Sequence, residues 1–127
     1  MKTEPINIVS PVCEVTCFEQ EKVAEIKAEL SKDEHLLPQL AELYKLLGNT
    51  MRLKILLALA ERELCVCDVS HVLGLSVAAT SHQLKLLRDR GWLRMRNDGK
   101  MVYYRLHSES LLKTLKGDLG LLQERLA

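Results

Sequence analysis

The sequence predicts a mainly α-helical winged helix-turn-helix protein with a β-hairpin wing, assembled as a homodimer. Aliphatic side chains recur at helical spacing along most of its 127 residues. Residues 66–90 divide into two such stretches at Gly74, which is the pattern of a helix-turn-helix. β-Prone residues then flank the dipeptide Asp98-Gly99, which indicates a hairpin directly after the second helix. A helix-turn-helix followed by a hairpin is the arrangement of a winged helix.

Three helices are predicted before the helix-turn-helix. Residues 18–31 and 36–47 each place aliphatic side chains on one face at intervals of three or four. The pattern then breaks, and Asn49 or Thr50 can cap the next helix. That helix, residues 50–62, is apolar nearly all round, which predicts that it is buried.

The helix-turn-helix itself is predicted from residues with specific backbone roles. Gly74 ends the first helix, because it tolerates a positive φ, and Ser76 is a good N-cap for the second. Gly91 marks the end of the second helix. The side chains expected to point inward from the first helix are Val69, Val72 and Leu73.

A last helix is predicted over residues 108–126, with leucines at alternating intervals of three and four. These leucines are Leu112, Leu115, Leu119, Leu122 and Leu126. Such a seam either packs on its own domain or forms a coiled-coil-like interface with a second chain. We expect a homodimer, formed through the first and last helices, because a helix at this position is available to a twofold partner.

The net charge of +1 conceals a strongly uneven distribution. Residues 1–47 contain five lysines against nine acidic residues, whereas residues 85–105 contain seven basic residues against two acidic ones. A locally basic surface attracts phosphates even on a protein that is neutral overall. The alternative is that these basic residues form a solvated face without a partner.

The four cysteines form two close pairs, Cys13 with Cys17 and Cys65 with Cys67. Thiolates are soft ligands, and four of them make a strong site for Cd(II), Pb(II) or Zn(II). Side chains two residues apart point about 200° apart on a helix, so Cys65 and Cys67 are expected at a helix N-terminus, where the backbone can turn. Two other readings remain open: a structural zinc site, and cysteines that act as small apolar residues.

Composition also excludes several classes of protein. No apolar run is long enough to span a bilayer, so we expect no membrane partner and a cytoplasmic location, where thiols stay reduced. The sequence has no obvious nucleophile–base pair, phosphate-binding loop or paired carboxylate cluster. We therefore expect no enzymatic activity and no organic cofactor.

In a winged helix, the second helix of the helix-turn-helix enters the major groove of DNA, and the wing approaches phosphates or the minor groove. The residues predicted to face the major groove are Ser76, Ala79, Thr80, His82, Gln83 and Lys85. Those predicted to contact DNA from the wing are Arg94, Arg96 and Lys100.

Several of these segments resemble one known family. Residues 63–69, 74–76 and 81–87 are similar to the ArsR/SmtB family of metal-sensing repressors, and residues 46–56 fit the helix boundary that precedes them. The Cys-x-x-x-Cys segment at 13–17 resembles the cadmium- and lead-sensing CadC branch. The resemblance covers about residues 12–126.

The resemblance implies a homodimer that binds operator DNA without metal and is released when Cd(II), Pb(II) or Zn(II) binds. It also implies that the N-terminal arm of one subunit meets the Cys65 and Cys67 region of the other. The chain is then divided into a flexible metal-binding arm, residues 1–17, and a DNA-binding and dimerisation domain, residues 18–127.

One departure from the family concerns a second metal site on the last helices. The matching positions here are Ser108, Ser110, Leu121 and Glu124, of which three lack a good ligand. We expect this second site to be absent, so that regulation runs through the thiolates.

Two other functions compete with a metal-responsive repressor. A thiol redox sensor would oxidise one of the cysteine pairs and release DNA without metal. A metal buffer would bind the same ions without needing the basic wing. For the repressor itself, two routes of release remain open: the negative charge of a metal–thiolate site near phosphates, and a shift of the two DNA-reading helices relative to each other.

Overall fold

The computed structural model describes residues 18–126. Within that range the elements, in chain order, are α1 (Gln20–Lys32), α2 (Leu37–Leu47), α3 (Thr50–Ala58), β1 (Leu64–Cys65), α4 (Val66–Leu73), α5 (Val77–Asp89), β2 (Leu93–Asp98), β3 (Met101–Leu106) and α6 (Glu109–Leu126). The predicted helix-turn-helix is α4 and α5, and the predicted wing is the hairpin of β2 and β3. The chain divides into two compact units between Glu42 and Leu43.

In the first unit, α1 leaves its apolar face uncovered. None of its residues is buried, and Ile26 and Leu30 are both about half exposed. Asp33 ends the helix, and its backbone N–H donates to the Leu30 carbonyl. The predicted helix at 18–31 is therefore present, with an apolar stripe that faces solvent in the single chain.

The core of the second unit is built around α3. Asn49 caps this helix, because its Oδ1 accepts a hydrogen bond from the Arg52 backbone N–H at 3.0 Å. Ile55 and Leu56 are completely buried, as expected for a helix that is apolar nearly all round. The helix ends earlier than predicted, at Ala58, and a turn leads to β1. The other fully buried large side chains of the core are Leu59, Val69, Leu84 and Leu87.

The two helices of the helix-turn-helix begin and end as the sequence predicts. Gly74 follows α4 with φ 69°, and Ser76 caps α5 by accepting a hydrogen bond from the Ala79 backbone N–H at 3.0 Å. The expectation that Val72 points inward is wrong, since 60% of its surface is exposed. Val69, Ser70 and Leu73 are the buried residues of α4. Val72 lies roughly 100° around the helix from the centre of that buried arc.

The sheet has three antiparallel strands in the order β1-β3-β2. Gly99, with φ 64°, lies in the two-residue turn of the wing. The short strand β1 was not predicted. Its register places Cys65 opposite Tyr103, and Tyr103 in turn is opposite Arg96, so that these three residues form one row across the sheet.

The last helix contributes to the core with its first half. Leu111, Leu112 and Leu115 are buried, whereas Leu119 and Leu122 further along α6 are exposed. Of the predicted seam, two leucines therefore pack on their own domain and the rest face solvent. No helix among residues 18–126 is long and apolar enough to cross a membrane.

Candidate thiol site and nucleic-acid interface

Cys65 and Cys67 lie where β1 meets α4. Cys65 is the last residue of β1 and the N-cap of α4, with an extended backbone, and Cys67 lies in the first turn of the helix. This agrees with the expectation that both cysteines lie at a helix start and not inside a regular helix.

The two thiols differ in accessibility. Cys67 is exposed, whereas only 7% of Cys65 is exposed. Asp68 accepts a hydrogen bond from the Cys65 backbone N–H through Oδ2 at 3.4 Å, so its carboxylate acts as a charge at the helix start. A soft ion would therefore meet Cys67 at the surface and Cys65 at the edge of the core.

These two thiols alone do not complete a metal site. Among residues 18–126, no three His, Cys, Asp or Glu side chains are grouped so that they could hold a metal ion. The other predicted ligands, Cys13 and Cys17, lie outside the described residues. Two thiols at a helix N-terminus nevertheless suit a soft divalent ion that takes its remaining ligands from elsewhere.

The exposed face of α5 carries most of the residues predicted to meet the major groove. Ser76, Ala79, His82 and Lys85 are exposed, and Gln83 is half-buried. A short ion pair joins the Lys85 and Asp89 side chains at 2.9 Å, and this hydrogen bond is the main reason why the pKa of Asp89 is lowered.

The prediction that Thr80 faces DNA is wrong. Its side chain is completely buried, and its Oγ1 donates to the Ser76 carbonyl at 2.8 Å. Thr80, Leu84 and Leu87 recur at intervals of four and three, which is the inward face of α5. Threonine is polar, which is why the sequence predicted an exposed side chain. Its hydroxyl can be buried here because the Ser76 carbonyl accepts its hydrogen bond within the helix.

Arg52 is a functional candidate that sequence reasoning missed. Its Nε donates to Gln83 Oε1 at 3.0 Å, and its Nη1 donates to the Leu46 carbonyl at 3.1 Å. One side chain on α3 thus positions Gln83 on α5 and leaves the Gln83 amide NH₂ to donate to a base or phosphate. No sequence signal reveals a bond between residues so far apart in the chain.

The arginines of the wing contact groups of the protein itself. Arg94 Nε donates to His107 Nδ1 at 3.1 Å. Arg96 forms a two-pronged hydrogen bond with the Glu63 carboxylate, at 2.8 Å from Nη2 and 3.2 Å from Nε. Lys100 is exposed in the turn of the hairpin.

Arg96 is also held by two other neighbours. Its guanidinium lies 4.9 Å from the centroid of the Tyr103 ring, and its Nη1 lies 3.6 Å from Asp98 Oδ2. The hydrogen bond with Arg96 lowers the pKa of the Glu63 carboxyl, so Glu63 is ionised at neutral pH. Arg96 is therefore held by two carboxylates and an aromatic ring, while about half of its side chain stays exposed.

The structure has the architecture of a winged-helix DNA-binding regulator. It combines a helix-turn-helix whose outer helix, α5, is polar, a basic hairpin beside that helix, and two thiols at the start of α4. Residues 49–93 match the model of the bacterial regulatory protein, arsR family. The chain is 37% identical over 117 residues to the cadmium resistance transcriptional regulatory protein CadC of Listeria innocua, covering 91% of this chain and 97% of that one. It is 34% identical over 118 residues to the transcriptional repressor SmtB homolog of Synechocystis, covering 93% and 89%. The chain belongs to the ArsR family.

Solved structures agree with this assignment. The homodimeric winged helix-turn-helix domain of Mb0332 from Mycobacterium bovis superimposes with a TM-score of 0.67 at 29% identity, over 75% of this chain and 88% of that one. Reduced HlyU from Vibrio cholerae gives a TM-score of 0.59 at 32% identity, over 68% and 92%. The predicted winged helix is confirmed, and so is the prediction that the chain is a transcription regulator and not an enzyme.

Proposed function

We propose that this protein is a metal-responsive repressor that binds operator DNA as a metal-free homodimer. Cd(II), Pb(II) or Zn(II), held by Cys13, Cys17, Cys65 and Cys67, would release it. The observation that carries this proposal is the position of the described thiol pair at the start of α4. Since α4 is the first helix of the helix-turn-helix, an ion bound there acts on the DNA-binding element directly.

The chemistry of the thiols supports a soft ion as the inducer. Four thiolates around a divalent ion carry a net charge of about −2, which opposes binding to phosphates. The relative from Listeria innocua is named for cadmium resistance, which favours Cd(II) as the first ion to test. Reduced thiols are required throughout, in keeping with a cytoplasmic protein.

The DNA interface that we propose consists of α5 in the major groove and the wing on the backbone. The residues of α5 in this interface are Ser76, Ala79, His82, Gln83 and Lys85, and those of the wing are Arg94, Arg96 and Lys100. Gln83 is the strongest candidate for a base contact, because Arg52 fixes its carbonyl oxygen.

The homodimer that we propose uses α1 and the second half of α6. Leu119 and Leu122 expose apolar surface along a groove of about 240 Å³ that is also lined by Leu53 and Leu57 of α3. A twofold partner that places its own α6 near this groove would cover these leucines. The similarity to a homodimeric domain supports dimerisation itself.

The proposal is tested by titrating the reduced protein anaerobically with Cd(II) and following thiolate-to-metal charge-transfer absorption. Fluorescence anisotropy measures binding to a labelled duplex that the metal-free protein selects from a random-sequence library. We expect one ion per subunit and a loss of DNA affinity of about 100-fold when the site fills. Cys13→Ser/Cys17→Ser and Cys67→Ser should each weaken both the absorption band and the release. A titration without any band would overturn the proposal.

A thiol redox switch is the second candidate, supported by the similarity to reduced HlyU and by the pair of free thiols. Two thiols that form a disulfide would pass two electrons and two protons to an oxidant such as hydrogen peroxide. Peroxide then releases DNA in the presence of a chelator, whereas the metal-responsive repressor stays bound under those conditions.

A further inference from the structure

The wing and the thiol strand are joined by one side-chain bridge. Glu63 immediately precedes β1, and Arg96 lies in the middle of β2, at the opposite edge of the sheet. Their side chains meet above β3 through the two-pronged hydrogen bond. Neighbouring strands lie about 4.8 Å apart, so the bridge spans two strand spacings.

The bridge belongs to the same row of residues as Cys65. Cys65 is opposite Tyr103, Tyr103 is opposite Arg96, and the Arg96 guanidinium lies over the Tyr103 ring. Side chains two residues apart in an extended chain point to the same face, so Glu63 lies on the same face as Cys65 and reaches the Arg96 guanidinium. A row of paired residues therefore runs from Cys65 to an arginine of the wing, and the side-chain contacts within it join Arg96 to Tyr103 and Glu63.

We propose that Glu63 is a positioning residue that transmits the state of Cys65 to Arg96 in the wing. This inference rests on the proposed function, in which metal binds at Cys65. Cys65 is both the end of β1 and the cap of α4, so a change in the position of its buried sulfur on coordination would displace β1. Glu63 would move with β1, and the hydrogen-bonded Arg96 would follow.

Stability alone does not account for this bridge. The Glu63 side chain is 32% exposed and that of Arg96 is 51% exposed, and ion pairs of this exposure stabilise a fold very little. A two-pronged arginine–carboxylate contact fixes direction as well as distance, which suits a connection between two strands. Removing it should leave the fold intact and weaken the effect that metal binding at Cys65 has on Arg96.

The test compares Glu63→Gln with Asp98→Asn in the full chain. Both substitutions remove one carboxylate from the surroundings of Arg96, but Asp98 lies on the wing itself and has no connection to β1. Asp98 is the last residue of β2 and lies outside the two-residue turn of Gly99 and Lys100, so asparagine, which has the same shape, leaves the turn unchanged. Each variant is titrated with Cd(II) alone, by charge-transfer absorption, and then with the selected duplex.

We expect all three proteins to bind one Cd(II) per subunit. The factor by which Cd(II) lowers DNA affinity should be about three- to tenfold smaller in Glu63→Gln than in the unmodified protein. In Asp98→Asn this factor should be unchanged. Backbone amide signals of β2 should move on addition of Cd(II) in the unmodified protein and in Asp98→Asn, and stay in place in Glu63→Gln.

The outcomes separate the two levels of the proposal. If the unmodified protein binds no Cd(II), or keeps its DNA when it does, the proposed function fails before Glu63 is tested. If release is normal in the unmodified protein and equally strong in Glu63→Gln, Glu63 transmits nothing. Equal losses in both variants would also overturn the inference, because they would show an effect of charge around Arg96 and not of the bridge.

Discussion

At the scale of single residues, burial decides which polar side chains are available to DNA. Thr80 and Gln83 lie three positions apart on α5, yet Thr80 is completely buried and Gln83 reaches the surface. Arg52 shows the converse, since a charged side chain near the core holds Gln83 by one hydrogen bond and the Leu46 carbonyl by another. Residue type indicates what a side chain can bond to, and its position on the helix determines which partner it meets.

Replacing Arg52 with methionine should weaken both stability and DNA binding. The Leu46 carbonyl and Gln83 Oε1 would lose their donor, which costs about 1–2 kcal/mol of unfolding free energy for partly buried groups. Urea unfolding measures this cost, and anisotropy with the selected duplex measures the accompanying loss of affinity. Lys54→Met, an exposed position on the same helix, is the control and should leave both unchanged. Normal DNA affinity in Arg52→Met would show that Gln83 binds DNA without the hydrogen bond from Arg52.

The two thiols at the start of α4 should react at different rates. In a protein that carries Cys13→Ser and Cys17→Ser, iodoacetamide should modify Cys67 at least about tenfold faster than Cys65, because Cys65 is nearly covered. Mass spectrometry of timed samples gives both rates. In urea the two rates should converge, which serves as the internal control. Equal rates in the folded protein would contradict the burial of Cys65.

At the scale of elements, the short helix α4 depends on its ends. With eight residues, it has little intrinsic stability, and it is held by the Cys65 cap, the left-handed Gly74 and the contacts of Val69 and Leu73 with the core. Cys65 also belongs to the sheet, because it is the last residue of β1.

Gly74→Ala and Gly117→Ala should change stability in opposite directions. Alanine at Gly74 is forced into a positive φ and should cost about 1 kcal/mol, although its Cβ would meet no atom within 4 Å. Gly117 lies inside α6 in open space, where alanine should add up to about 1 kcal/mol through helix propensity. Thermal unfolding of both variants measures the difference. A neutral Gly74→Ala would show that the turn between α4 and α5 relaxes to another conformation.

At the scale of the whole molecule, the single chain exposes rows of large apolar side chains along two of its helices. Leucines along the second half of α6 and aliphatic side chains of α1 face solvent, although the leucines at the start of α6 are buried. Exposed apolar surface arranged along helices is typical of interfaces between chains. The homodimer that we propose would cover it and would also set the spacing between two α5 helices on DNA.

Leu122→Lys should convert the dimer to monomers, whereas Leu121→Lys should not. Leu122 lines the groove beside α3 and Leu121 does not, although the two are similarly exposed, at 50% and 57%. A buried lysine at the interface would lose its hydration without a partner, which destabilises the dimer. Sedimentation velocity at micromolar concentration measures the oligomeric state. Dimers that persist in Leu122→Lys would exclude this part of α6 from the interface.

Local interactions account for the part of the fold that the sequence predicted. Helix periodicity, the Asn49 and Ser76 caps and the positive φ of Gly74 and Gly99 act between near neighbours in the chain, so each left a readable pattern. The hairpin turn itself lies one residue later than predicted, at Gly99 and Lys100, because Asp98 pairs with Met101 as the last residue of β2. The thiol pair at a helix start followed from the same kind of reasoning, since side chains two residues apart cannot both face one metal ion from inside a regular helix.

Tertiary structure alone decided which distant residues meet. The strand β1, the burial of Thr80, the exposure of Val72 and the bonds of Arg52 depend on packing between elements far apart in sequence. The bridge from Glu63 to Arg96 joins residues 33 positions apart, at opposite edges of a three-stranded sheet. No periodicity or spacing encodes such a contact, because it exists only once β3 lies between the two strands.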